Sequence, residues 1–361
     1  MSRPPRQIRV LIVDDSPFIR MSLKKILSLD PEIVVADIAR DGREGVMKVQ
    51  ALKPDVVTMD VEMPVMNGIQ ALEEIMRWQP TPVIVLSAVT IDGAKLTMKA
   101  FDLGAVEVVA KPSGQEGNDL TTLAQDLILK VKSVAGSNLS LLSKRESALQ
   151  STSTSKIRRF ESPGTIPRNR IEIVAIGVST GGPSALQTVL TQLPKDFPVP
   201  VMVAQHMPAG FTASLAARLN SLCQVSVKEV EDGETLKAGT VYIGQAGKQY
   251  QLKKSGYGFV AHIGVDTPIA TLYKPSVDIM FMSLAKEAGA GVLGVVMTGM
   301  GNDGLHGLKE LKAQGAFAIA ESEKTCVVYG MPRAVIEAGL ADRIELLQDI
   351  GKTITECVKR R

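Results

Sequence analysis

At 361 residues, with 45% hydrophobic and 22% charged content, the chain has the size and balance of about two globular domains. No apolar run approaches the roughly 18 residues of a membrane span, and Met1–Arg6 lacks a signal-peptide core, so a cytoplasmic protein without membrane insertion is expected. The net charge of +3 is local: residues 131–170 hold eight basic and two acidic side chains, while residues 1–130 hold 15 and 18 and residues 171–361 hold 18 of each, which leaves neither flank with the basic excess of a nucleic-acid-binding domain.

In the first third, the apolar run 8–13 ends at Asp14-Asp15, and strand-like runs recur at 34–39, 56–59, 83–87 and 107–109. Helical spacing between them, as at Phe18, Met21, Ile26 and Leu29, predicts a doubly wound parallel sheet. Such sheets gather polar groups at the carboxyl ends of their strands, here Asp14, Asp15, Asp60, Ser87 and Lys111. Converging carboxylates repel one another unless a cation neutralises them, and a hard ion such as Mg²⁺ suits oxygen ligands. A lysine and a hydroxyl opposite would hold a phosphoryl group on one carboxylate.

These residues, in VDDSP, TMDVEMPVMNG, VLSA and Lys111-Pro112, resemble the receiver domain of bacterial response regulators over residues 8–128. The resemblance implies that Asp60 accepts phosphate from a histidine kinase. It also implies that Asp14, Asp15, Asp60 and the Glu62 backbone carbonyl bind Mg²⁺, and that Ser87 and Lys111 contact the phosphoryl oxygens. The Lys111-Pro112 bond is often cis in that family. Many receivers carry an aromatic switch residue three positions before the lysine; Val108 stands there, so an aromatic flip coupled to Ser87 is not expected.

Residues 129–170 read as a flexible linker, with Ser-Thr-Ser-Thr-Ser at 151–155, a basic run at 156–159 and proline at 163 and 167. A helix over 127–142 would extend from the receiver. From 171 to 358 the alternation resumes, with strand candidates at 171–176, 199–205, 225–230, 240–243, 291–298 and 316–320. Glycines at 244, 247, 256 and 258 predict hairpins inserted in the α/β order. Residues 277–288 form an amphipathic helix whose Met280 and Phe281 belong to the core.

Gly177-Val178-Ser179-Thr180-Gly181 fits G-x-S-x-G after a strand, the pattern of a nucleophile elbow. A dinucleotide site is the rival, but the next strand ends in Gln205-His206-Met207 with no acid for a ribose. A serine nucleophile needs a base, and the chain has only His206, His262 and His306. His206 follows a strand of the same sheet; His262 ends a hairpin as an exposed structural residue, and His306 belongs to a helix. Asp303, in the glycine-rich turn Thr298–Gly304, is the best orienting acid, with Asp278 as the alternative inside a helix. Cys223, Cys326 and Cys357 are scattered and form no disulfide framework.

The stretches AIGVSTGGPSAL, VAQHMPAGFTASLAARL, YKPSVDIMF, VMTGMGNDG and ESEKTCVVYGMPRAV resemble the catalytic domain of bacterial chemotaxis protein-glutamate methylesterases. That implies hydrolysis of glutamate methyl esters on chemoreceptors with release of methanol, and in many members deamidation of receptor glutamines. Ser179, His206 and Asp303 match the family's triad, and the Met300 backbone N–H its oxyanion position. The expected whole is two doubly wound parallel-sheet α/β domains, a flavodoxin-like receiver and a Rossmann-like esterase with a hairpin insertion, joined by the linker. Mg²⁺ would serve the receiver and no cofactor the esterase. The expected partners are a histidine kinase and methylated chemoreceptors, with no nucleic acid, and the chain acting as a monomer. A regulator whose second half binds DNA or a nucleotide is the competing reading, disfavoured by the neutral charge of 171–361.

Overall fold

The computed structural model describes residues 7–111, 119–137, 167–256 and 258–359. Contacts divide the chain into two compact units, Met1–Thr152 and Ser153–Arg361. Pro112, with the peptide bond expected to be cis, and most of the expected linker lie outside the described residues.

In the first unit, β1 (Ile8–Val13), β2 (Ile33–Ala39), β3 (Val56–Asp60), β4 (Val83–Ser87) and β5 (Glu107–Ala110) form a parallel sheet ordered β2-β1-β3-β4-β5. The crossovers are α1 (Pro17–Leu27), α2 (Gly42–Leu52), α3 (Gly68–Trp78) and α4 (Ile91–Asp102), and α5 (Asp119–Val134) follows β5. Each crossover helix begins where a side chain accepts an otherwise orphaned backbone N–H. Ser16 takes that of Ile19, Asp41 that of Glu44, Asn67 that of Gln70 in a capping box, and Thr90 that of Gly93. Because β2 and β3 flank β1 on opposite sides, the connections diverge there and leave a crevice at the strand ends. α5 continues past the expected boundary at residue 128, with Val131 and Val134 fully buried.

The second unit has a seven-stranded parallel sheet of β6 (Ile173–Val178), β7 (Val201–Gln205), β8 (Ser226–Glu229), β9 (Thr240–Ile243), β12 (Val292–Val296), β13 (Phe317–Glu321) and β14 (Arg343–Glu345). Its order is β14-β13-β12-β6-β7-β9-β8, so β6 is the central switch strand. An antiparallel hairpin, β10 (Gln249–Ser255) and β11 (Gly258–Gly264), is the expected insertion. The helices are α6 (Gly182–Leu190), α7 (Thr212–Leu222), α8 (Val277–Glu287), α9 (Leu305–Ala313), α10 (Met331–Glu337) and α11 (Leu347–Lys359). Met280, Phe281 and Leu284 of α8 share one buried cluster with Ala175, Met202 and Val292, so the methionine and aromatic positions are core. Burying each such side chain contributes about 1.5–3 kcal/mol. Among the described residues no helix is long and apolar enough to cross a membrane.

Candidate active site

In the first unit the sheet edge collects acids. One carboxylate oxygen each from Asp14, Asp15 and Asp60 lies within 4.8 Å of the others. Lys111 Nζ sits 2.6 Å from Asp60 Oδ2 and 3.1 Å from Asp14 Oδ2, the latter an ion pair without hydrogen-bond alignment. Burial and the Asp60 charge raise the Asp14 carboxyl above its usual range, and Lys111 opposes the shift. The Glu62 N–H donates to Asp60 Oδ1 at 3.2 Å. A cleft of about 430 Å³ lined by Asp15, Glu62, Met63 and Asn67 opens beside the cluster. The donor set is all oxygen, which suits a hard divalent cation and not a soft one. Ser87 Oγ donates to the Gly93 carbonyl at 3.1 Å. Val108 is fully buried in β5.

In the second unit three turns meet at the ends of β6, β7 and β12. The register pairs Val178 with Gln205 and Gly177 with Val296, so the residues following these strands start at one level. Ser179 N–H donates to the Thr298 carbonyl, and His206 N–H to that of Val178. Behind Ser179 the chain turns through Gly181 at φ 77° into α6. No side chain fits there: a Cβ on Gly181 would meet Val327 Cβ at 2.7 Å, and one on Gly182 would meet Gln205 Oε1 at 2.0 Å. The Gln205 carboxamide, 1% exposed, donates from one nitrogen to the carbonyls of both Ser179 (3.0 Å) and His206 (2.8 Å).

His206 Nε2 lies 2.8 Å from Asp303 Oδ2. Nδ1, on the other side of the ring, is buried without a hydrogen-bond partner. The nitrogens are used in the opposite sense to the serine-protease triad, where Nδ1 faces the acid and Nε2 the serine. Asp303 also accepts Ser276 Oγ–H at 2.9 Å and the N–H groups of Val277 (2.7 Å) and Asp278 (3.0 Å). Burial pushes its carboxyl up, but the His206 hydrogen bond and charge and the two N–H donors outweigh burial and hold it below the usual range. Asp278 does not touch His206. Its Oδ1 accepts the N–H groups of Gly304 (3.0 Å) and Gly307 (2.7 Å), and burial with the Asp303 charge raises it. The two aspartates thus exchange helix ends: Asp303 caps α8 and Asp278 caps α9. Gly299, next to Met300, approaches the nucleophile so closely that a Cβ there would lie 2.7 Å from Ser179 Cβ.

The two other histidines lie elsewhere. His262 on β11 keeps a partly exposed side chain, with Nδ1 3.1 Å from Asp232 Oδ1; His306 is exposed on α9. Four site residues lie inside the matching stretches but were assigned no role from the sequence: Gln205, Tyr273, Ser276 and Glu321. Tyr273 stacks on His206 with ring centroids 4.0 Å apart and an interplanar angle of 0°. Glu321 is fully buried and its Oε2 accepts the Thr298 N–H at 2.8 Å.

Residues 174–354 match the family model described as CheB methylesterase, and residues 10–123 match the response regulator receiver domain. A protein-glutamate methylesterase/protein-glutamine glutaminase of Desulfitobacterium hafniense is 56% identical, covering 100% of both chains. One of the same name from Lawsonia intracellularis is 45% identical over 97% of this chain and 99% of its own. The crystal structure of the Thermotoga maritima CheB methylesterase catalytic domain is 41% identical with a TM-score of 0.50, covering 52% of this chain and 99% of that one. With a full-length relative at that identity and both family models matched in order, the chain belongs to the CheB methylesterase family and carries a response-regulator receiver domain ahead of the methylesterase segment.

Proposed function

We propose that the chain is a phosphorylation-regulated protein-glutamate methylesterase that also deamidates particular glutamines, with chemoreceptor cytoplasmic segments as substrates. Residues 8–128 act as the receiver, 129–170 as the linker and 171–358 as the catalytic domain. The observation that carries the reading is the His206–Asp303 pair at 2.8 Å, set beside the Ser179 turn on adjacent strand ends. Ser179 Oγ attacks the ester carbonyl as its proton passes to His206 Nδ1. Asp303 orients the ring and stabilises its charged form. The Met300 N–H meets the oxyanion, a kind of contact whose loss typically costs about 10²–10³ in turnover. His206 then protonates the departing methanol, and water repeats the sequence on the acyl-enzyme. With a glutamine side chain the leaving group is ammonia.

Asp60 is the phosphoacceptor, supplied by a histidine kinase. Asp14, Asp15, Asp60 and the Glu62 carbonyl would hold Mg²⁺, which neutralises charge on the incoming phosphoryl group; Ser87 and Lys111 contact that group's oxygens. The unphosphorylated receiver restrains the esterase activity of the second unit, and phosphorylation of Asp60 relieves that restraint. Ser179→Ala tests the esterase reading. Methanol release from methylated receptor membranes should vanish while the melting transition stays within a few degrees. A variant that still releases methanol at the wild-type rate sinks the assignment.

A further inference from the structure

One hydrogen bond does not fix a histidine ring. The Nε2 contact with Asp303 sets where one ring atom sits, but the ring can rock about that contact because terminal sp³–sp² torsions are broad. Nδ1 lies across the ring and is displaced by such rocking. It is also the atom without a hydrogen-bond partner, so no second polar contact restrains it. What faces the ring is Tyr273, parallel to it at 4.0 Å.

Tyr273 is itself braced. Its N–H donates to Thr271 Oγ1 at 3.1 Å, and its carbonyl accepts Gln249 Nε2 at 2.9 Å. The following carbonyl, of Lys274, accepts the Gly247 N–H at 2.9 Å. Gln249 is 1% exposed, and its Oε1 accepts the Ser276 N–H at 2.9 Å. Ser276 Oγ then donates to Asp303 Oδ1. A single segment, 271–276, anchored on β10, therefore sets an aromatic face against the base and a hydroxyl against the acid. The inserted hairpin is the support for both.

The geometry points to Tyr273 as a positioning residue of the esterase: its ring face holds the plane of His206, and with it the direction of Nδ1, the nitrogen that does not meet Asp303. The role rests on His206 being the base, and it is exerted through His206 rather than on substrate. Misalignment of a catalytic group lowers the rate of the chemical step and leaves ground-state binding in place. The flat face is what matters, so a ring without the hydroxyl suffices.

The test compares Tyr273→Phe, Tyr273→Leu and Tyr273→Met in the full chain, assayed by methanol release from methylated receptor membranes. Histidine-selective NMR accompanies it, since only three histidines contribute signals and His206→Gln identifies one of them. Y273F should keep kcat within about twofold, together with the ring-current shift of the His206 ring signals. Y273L and Y273M should lose roughly 10- to 100-fold in kcat at nearly constant KM, with that shift abolished. Wild-type kcat in both non-planar variants overturns the proposal, as does Y273F impaired as deeply as Y273L. A raised KM with intact kcat overturns it too, by making Tyr273 a substrate contact. Undiminished release by H206Q would instead overturn the base assignment; an inactive H206Q with unimpaired Y273L removes the Tyr273 role alone.

Discussion

Glu321 sits at the end of β13 with no exposure, and its Oε1 has no hydrogen-bond partner. Burial raises its carboxyl from 4.5 to about 7, only partly opposed by the Thr298 N–H and by the neighbouring Thr325 and Cys326 side chains. The folded state therefore keeps this proton over a range in which the unfolded chain has lost it. Stability contributed by the protonated form is full below pH 4.5, declines as pH rises and is gone above about 7. A shift of that size corresponds to roughly 3 kcal/mol. Burial raises Asp14 and Asp278 as well, a contribution of the same sign that is common to wild type and variant, whereas Asp303 is lowered. Denaturant unfolding at pH 5 and pH 7.5 should show wild type losing more stability than Glu321→Gln across that interval. Parallel curves would reject a protonated Glu321. The residue bears on the nucleophile as well: the Thr298 it holds accepts the Ser179 N–H and donates its own hydroxyl to the Thr180 carbonyl.

Between the elements, the close approach of two turns matters more than any one side chain. A Cβ on Gly299 would lie 2.4 Å from Met331 Sδ and 2.7 Å from Ser179 Cβ. Met331 can yield, being the flexible end of a side chain, whereas Ser179 Cβ can move only if the nucleophile turn moves. Gly299→Ala should thus cost about 1–3 kcal/mol of stability and, separately, roughly 100-fold in the labelling rate of Ser179 by a fluorophosphonate. Labelling at the wild-type rate would show that the turn absorbs the methyl group elsewhere. The strand runs, the acid cluster and the Ser179 turn were legible in the sequence because each rests on local pattern: apolar runs, then glycine or acid at a strand end. The cap exchange was not. Asp278 and Asp303 each serve a helix about 25 positions away, and nothing in local spacing says which acid turns to His206. The role of Tyr273 was hidden for the same reason, although the residue lies in a matching stretch, since it belongs to a loop whose placement depends on Gln249 of the hairpin. β14 also escaped, being three residues long with Ile344 half exposed and no apolar alternation.

At the scale of the whole chain, each hydrogen bond described at the esterase site is made within the second unit. Ser179, Gln205, His206, Ser276, Val277, Asp278, Thr298, Asp303 and Glu321 serve as one another's partners. On the proposed reading, the receiver acts on the rate through access to this site rather than through its chemistry. In the first unit, Asp60 is tied to Lys111 at 2.6 Å, and phosphorylation replaces the carboxylate oxygen in such a pair with a bulkier, more highly charged group. A ligand or modification shifts an equilibrium only by its differential interaction with the two states. A docked state favoured by about 1.4 kcal/mol would already leave roughly one molecule in ten open. Residues 171–361 alone should accordingly release methanol about tenfold faster than the unphosphorylated full chain. An acyl-phosphate phosphodonor should raise the full chain toward that rate, leave the isolated half unchanged and fail to stimulate Asp60→Asn. Equal rates for the two forms without phosphodonor would reject occlusion. A full chain that exceeds the isolated half after phosphorylation would instead mean that the receiver contributes to turnover beyond uncovering the site.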